Sequence, residues 1–528
     1  MINLLERFNG NSKILSLIKD LKSNKNCSCF GLNFNEISFL MKMIDNQKIL
    51  VVTSPAEAFK YSSQLESLGL KTMVLLNKLE NYTFSIFEET ENMQNLTLSL
   101  FKLLTKQINV LIVLDKVLIQ KVINPSKFSK LILTLKCDEE IDFEDFKNEL
   151  FSSGYKRVEV IAKKGEFSVR GDILSVFPIN FDYPVRISFF DNLIERISLF
   201  SLESFEVLKD EKEIQICPVN LLFELDSTKS VVLEKIKNAQ IKSNDDKQRN
   251  QLNSLYSEID NLPSKRINSQ FILPFLDDFN SSVLDYLSGG IVIYIEPKII
   301  FSKIVDEMLE ANTQINSMIF EGRLLEEHRH CLVDKQNVFK SPNTNLAFLN
   351  LNTANKIFES QEVYSFLSSF LKNYNNNFNF LLDDVKNFML QKKVVILCAD
   401  NNEKALKLEE FLKSSDRNCS VITSLNQIKD YGIYIFVSQI LNGVNFVEDG
   451  IIFVGNFNIY GQKKIIETDA KIKKVFFTPK TGDYVVHDTF GICVCKKIEK
   501  IEFNGVEKDY YVLEFSGGDL LYLPSEKA

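Results

Sequence analysis

A chain of 528 residues with 45% hydrophobic and 25% charged side chains has globular composition and is too long for one ordinary core, so about three or four domains are expected. The net charge of −8 argues against an extended phosphate-neutralising surface, so DNA is expected to be touched only indirectly or weakly. No stretch reaches the ~20 uninterrupted apolar residues of a membrane helix, and Met1-Ile2-Asn3-Leu4-Leu5-Glu6-Arg7 lacks the basic start and apolar core of a signal peptide, which implies a cytoplasmic address and no membrane partner.

Residues 1–128 alternate helix and strand. Ile14, Leu15, Leu17, Ile18 and Leu21 mark a helix, Cys27 to Leu32 a short strand, and Ile49-Leu50-Val51-Val52 a buried strand after a second helix. Ser54-Pro55 reads as helix N-cap and first turn, and Gly69 as the stop. The runs Met73 to Leu76 and Val110 to Leu114 complete a βα pattern suited to a parallel sheet.

Residues 129–210 begin with a strand at Leu131 to Leu135 and a helix ending at Gly154, then change to consecutive strands. Val185 to Phe190 and Ile194 to Phe200 flank Asp191-Asn192, a pair that tolerates a tight hairpin, so this is an α+β insert. Residues 211–340 hold a long polar helical region, Gly289-Gly290, the strand Ile291 to Ile295 and another helix. That strand suits the first sheet, which makes the first domain discontinuous. Residues 341–465 form a further α/β domain with strands at Val394 to Leu397, Ile433 to Val437 and Ile451 to Val454. A Lys-rich linker at 466–477 leads to 478–528, all strand and turn, where Asn504-Gly505 is the strongest hairpin signal and Gly517-Gly518-Asp519 the next reversal; a small SH3- or Tudor-like barrel fits.

Little of this carries chemistry. The pairs Cys27/Cys29 and Cys493/Cys495 sit on strands with both members facing one way, and read as reduced thiols. His328, His330 and Cys331 make the only metal-like cluster, without a second half at ligand spacing, so no metal is expected. His487 has no base or nucleophile partner, and no catalytic residue is assigned. A phosphate-binding loop needs a Gly-Lys pair at a strand-to-helix junction, and no Gly-Lys dipeptide occurs in the sequence. ATP-driven chemistry by this chain is therefore not expected.

Two segments point to a family. Gly165-Glu166-Phe167-Ser168-Val169-Arg170-Gly171-Asp172-Ile173-Leu174 through Pro178, then Pro184-Val185-Arg186-Ile187-Ser188-Phe189-Phe190-Asp191 and Ile194-Glu195-Arg196-Ile197, resembles the UvrA-binding domain shared by UvrB and the transcription-repair coupling factors (Mfd). The resemblance implies that Arg170, Arg186 and Phe190 face UvrA; from the residues alone the two arginines read as well as exposed strand positions and Phe190 as core. Cys29 to Ile37, where UvrB carries its phosphate loop, keeps a strand-turn-helix shape without phosphate-binding residues, which favours the coupling factors. Thr481-Gly482-Asp483-Tyr484-Val485-Val486-His487-Asp488, Lys508-Asp509-Tyr510-Tyr511-Val512-Leu513 and Gly518-Asp519-Leu520-Leu521-Tyr522-Leu523-Pro524 are similar to the RNA-polymerase-interacting domain of that family and of CarD-type regulators. The match implies that a barrel strand pairs with the polymerase β subunit through Ile498, Glu499, Lys500, Ile501, Glu502 and Phe503; a self-contained strand with a solvated charged face is the other reading of the same residues.

The expected fold is thus multidomain α/β: a UvrB-like discontinuous domain with an α+β insert, a second α/β domain and a C-terminal barrel. In the family two RecA-like motor domains and a masking C-terminal domain follow the barrel, whereas this sequence stops at Glu526-Lys527-Ala528. The resemblance implies a monomeric adaptor of transcription-coupled nucleotide excision repair. It would dock UvrA and stalled RNA polymerase with its UvrA surface open, acting in excess as a competitor of coupled repair, with ATP and Mg²⁺ confined to the absent motor. Part of a split or truncated ATP-dependent DNA translocase, or a CarD-like polymerase regulator, are the alternatives.

Overall fold

Apolar runs that can be covered on both faces set the first sheet. The computed structural model describes residues 1–10, 12–76, 90–219, 225–261, 270–350, 355–461, 484–487, 491–503, 506–515 and 520–524. In chain order come β1 (Cys27–Phe30), β2 (Lys48–Val52), β3 (Thr72–Leu75) and β4 (Val110–Leu114). The insert then adds β5 (Leu133–Lys136), β6 (Lys156–Arg157), β7 (Glu166–Arg170), β8 (Ile173–Val176), β9 (Val185–Phe190), β10 (Leu193–Phe200), β11 (Val207–Glu211) and β12 (Glu213–Ile216). The chain returns with β13 (Ile291–Ile295), β14 (Thr344–Leu349) and β15 (Glu362–Ser365), giving a seven-stranded sheet ordered β15-β1-β14-β13-β2-β4-β3. Every pairing in it is parallel. β2, β4, β13 and β14 are buried along their whole length, as strands covered by helices on both faces must be.

Local signals explain the helices around it. The Ser54 hydroxyl accepts the Glu57 N–H at 3.3 Å and Pro55 opens the helix Pro55–Ser67, which Gly69 ends at φ +76°.

Two domain limits differ from the sequence reading. β14 and β15 both pair with β1, so the return of the first domain runs past residue 340 to Ser365, and the next α/β domain begins after it. The insert runs past residue 210, because β12 pairs antiparallel with β5, Ile216 opposite Leu133, and the Val219 N–H donates to the Ser153 carbonyl at 2.7 Å. Both shifts come from strands whose partners are remote in sequence.

The next sheet contains β16 (Val394–Ala399), β17 (Cys419–Ile422), β18 (Gly432–Val437), β19 (Val444–Phe446) and β20 (Ile451–Val454), ordered β17-β18-β16-β20-β19 with β19 antiparallel. It packs directly on the first domain. The Phe39 ring lies 5.3 Å from Phe453 and 6.2 Å from Phe446, and the Gln64 side-chain amide donates to the Asn442 carbonyl at 3.0 Å. Residues 1–461 accordingly make one compact unit.

Within that unit Gly443 sits where a Cβ would fall 2.0 Å from the Phe453 carbonyl oxygen, and its N–H donates to the Asn458 side chain at 2.7 Å. Backbone on backbone leaves nothing flexible to move. Gly443→Ala is therefore expected to cost ~3 kcal/mol in urea unfolding. Gly432→Ala, whose Cβ would meet only the Tyr434 ring at 3.5 Å, is the matched substitution expected to stay within ~0.5 kcal/mol.

The second unit, residues 462–528, contains β21 (Tyr484–His487), β22 (Gly491–Phe503), β23 (Val506–Phe515) and β24 (Leu520–Pro524). They form an antiparallel sheet in that order, with no β24–β21 pairing among the described residues. The 466–477 linker, Thr481-Gly482-Asp483, the Asn504-Gly505 turn and Gly517-Gly518-Asp519 lie outside the described residues.

His328 is a core residue. Its ring centroid lies 4.5 Å from that of Phe271 and 5.8 Å from that of Phe275, and burial lowers its pKa to about 4. Burial likewise pushes the Cys27 thiol up to about 12. Among the described residues no three His, Cys, Asp or Glu side chains are grouped to hold a metal, and no helix is long and apolar enough to cross a membrane.

Candidate functional site

The insert's larger sheet runs β11-β10-β9-β8-β7-β6. Side chains alternate across it. On β9, Val185, Ile187 and Phe189 are buried, with the Phe189 ring 4.8 Å from Phe143 of the helix Phe143–Ser152 that covers this face. Arg186, Ser188 and Phe190 alternate with them and belong to the opposite face. The ladder aligns Ser168, Ser175, Arg186 and Ser198 in one row across four strands, and Arg170, Ile173, Ser188 and Arg196 in the next. Arg170 and Arg186 thus share the outward face one row apart.

Between them lies a groove of about 380 Å³ with Ser168 and Ser175 at its base and Ile173, Val160, Phe200 and Phe205 among its walls. The Arg186 guanidinium lies 4.5 Å from the Phe200 ring centroid, a cation–π contact that holds the charge at the surface. Neither Arg170 nor Arg186 has a carboxylate partner among the described residues, whereas Arg196 is already paired bidentately with Asp210, with two hydrogen bonds of 2.9 and 3.0 Å. Phe190 is 69% exposed and lies outside the groove, at the end of β9, because Phe189 takes the inward place. The reading of Phe190 as core does not hold.

The sequence reading missed the apolar part of this face. Ile173 was accessible to it, since it alternates with buried Leu174 and Val176. Phe205 was not, because its position depends on a left-handed φ of +57°.

The second surface is an edge. β21 pairs with β22 only from Gly491 to Val494, while β23 pairs from Cys493 to Phe503, with a bulge between Cys495 and Lys497. From Cys495 to Phe503, β22 therefore has a neighbour on one side alone among the described residues. The six positions Ile498, Glu499, Lys500, Ile501, Glu502 and Phe503 all fall on this stretch, opposite Tyr511 through Val506. Glu499 accepts an ion pair from Lys497 at 2.9 Å; the other five side chains lie outside the described residues, so the backbone is what is placed.

A UvrB interaction domain matches residues 133–222, the sheet with the groove, and a CarD-like/TRCF RID domain matches residues 480–528, the sheet with the edge. The chain is similar to the N-terminal part of the transcription-repair-coupling factors. The factor of Bacillus subtilis (strain 168) is 23% identical over 411 residues, and that of Staphylococcus aureus (strain MRSA252) 22% identical over 415. Each match takes in 75% of this chain and 35% of the coupling factor, so the chain spans about a third of these relatives. A solved Saccharomyces cerevisiae Dbp5 complex aligns over 86% of the chain at 10% identity with a TM-score of 0.17, too low to indicate a shared fold.

At the place where the UvrB resemblance puts a phosphate loop, β1 runs through Gly31, at φ +85°, into the helix Phe34–Met43. A phosphate there would need the first free amides of the helix. The Asn33 side chain already accepts the N–H groups of Asn35 and Glu36 at 2.9 and 3.1 Å, and the Glu36 carboxylate accepts the Asn33 N–H at 2.8 Å. Burial lifts the Glu36 carboxyl above its ordinary range, opposed by hydrogen bonds from Ser368, Asn33 and Ser369. The adjoining cleft of about 560 Å³ has Phe34, Tyr61, Phe348 and Phe370 among its walls, with the Lys60 ammonium 4.1 Å from the Phe34 ring centroid.

Proposed function

We propose that this chain is an adaptor of transcription-coupled nucleotide excision repair that binds UvrA through the groove face of the insert and the RNA polymerase β subunit by strand addition to β22. The observation that carries this reading is the pairing, on one chain, of a match to a UvrB interaction domain that presents two guanidinium groups with a match to a CarD-like/TRCF RID domain that presents a strand edge, the guanidiniums without a carboxylate partner and the edge without a neighbouring strand among the described residues. The four-stranded sheet closes as an SH3- or Tudor-like barrel, the chain acts as a monomer in the cytoplasm, and it meets DNA only through its partners. ATP and Mg²⁺ have no place in its action: the sequence lacks a Gly-Lys pair, and the helix amides beside Gly31 are taken by Asn33. Tethering two sites raises the local concentration of one partner beside the other without catalysis.

UvrA immobilised on a surface should retain RNA polymerase only when this chain is added, while the chain alone turns over no ATP above background. Polymerase passing through unretained would overturn the adaptor. The match over 35% of the relatives' length favours a second reading, in which the same two contacts serve an ATP-dependent translocase whose motor lies outside this sequence. Retention that appears only after a motor polypeptide is supplied selects that reading.

A further inference from the structure

The turn joining β10 to β11 presents a side chain at a double cost to the fold. Phe205 holds φ +57°, a left-handed backbone that bulky residues avoid, and leaves its ring 53% exposed. Ser201 enforces this geometry. Its carbonyl accepts the Phe205 N–H at 2.9 Å, its own N–H donates to Glu206 at 3.0 Å, and its hydroxyl accepts the N–H groups of Glu203 and Ser204 at 3.2 and 3.3 Å. The outcome is a layered wall in which Phe205 stacks on Phe200 at 6.5 Å and 21°, and Arg186 covers Phe200. Strain and exposure persist where the surrounding structure over-determines them, and such places cluster at binding sites.

Resting on the reading that this face docks UvrA, we propose that Phe205 is a specificity-determining residue of the groove, which accepts an acidic segment of the partner that also carries an apolar side chain. The segment's carboxylate lies between Arg170 and Arg186, the two groove cations without a carboxylate partner among the described residues, and its apolar side chain packs on Phe205 and Ile173 over the small Ser168–Ser175 base. Arg196, closed by Asp210, takes no part, and Glu159 at the rim repels a carboxylate placed on its side. The groove thereby selects for an acidic and apolar pair, where two arginines alone would accept any anion.

The test compares wild type with Phe205→Gly and Phe205→Asn in the full chain, titrated with UvrA over a range of KCl. Both replacements tolerate the left-handed backbone, so both should melt at or above the wild-type temperature. Each should weaken UvrA binding at least tenfold with an unchanged salt slope, because no charge has been removed. Unchanged affinity in both variants, while Arg170→Ala still weakens binding, would overturn the role of Phe205 and leave the docking reading in place. No UvrA binding by the wild-type chain would overturn both.

Discussion

The double variant Arg170→Ala, Arg186→Ala is expected to lose UvrA affinity by about 100-fold or more while its melting temperature stays close to wild type. Buried-on-binding arginines commonly cost ~2 kcal/mol or more each when truncated, and two that share one partner segment act together. Their contribution to the free protein is small. Arg170 ends β7 in solvent with no carboxylate partner among the described residues, and Arg186 forfeits its contact with Phe200, worth ~0.5–1 kcal/mol for a cation–π pair near the surface. Replacement by lysine at both positions should restore the salt dependence but only part of the affinity, since an ammonium keeps the charge and loses the planar fork. Binding within about threefold of wild type would place the UvrA contact elsewhere.

The second large effect concerns the edge of β22 that has no neighbouring strand among the described residues. Successive residues of a strand direct their N–H groups to opposite sides, and proline removes the N–H. Of Lys500→Pro and Ile501→Pro, one strikes the ladder to β23 and the other strikes the outer edge alone. Both should abolish polymerase β-subunit binding, but only the first should lower the melting temperature of the second unit. Alanine at the same two positions would leave the backbone edge intact and should cost less than either proline. If the proline that spares the ladder binds polymerase normally, strand addition is not the mode of contact.

Much of the fold was legible because its signals are local. Ile49 to Val52, Val110 to Leu114 and Ile291 to Ile295 are runs of branched residues that only a strand buried on both faces accommodates, and Ser54-Pro55 with Gly69 fixes one helix at both ends. β14 and β15 fall on the other side of a domain limit from the sequence reading because Glu362–Ser365 pairs only with β1, hundreds of residues earlier, and Thr344–Leu349 lies between β1 and β13. The site divides in the same way. The family resemblance singled out Arg170, Arg186 and the β22 stretch, and strand alternation accounts for the outward face the two arginines share, whereas the wall made by Phe200 and Phe205 depends on a turn conformation that no residue pattern announced.

The position of β1 has a consequence for how this protein comes off the ribosome. It lies between β14 and β15, so its edges stay unsatisfied until residues near 349 and 365 have emerged, which at ~5–20 residues per second takes on the order of tens of seconds. β2, β3 and β4 pair among themselves long before that, and the insert, closed by β5 with β12, completes its own sheets in the interval. The nascent polypeptide therefore carries a finished UvrB interaction domain on an unfinished scaffold, with a nearly all-apolar Cys27–Phe30 strand available to chaperones until its late neighbours arrive.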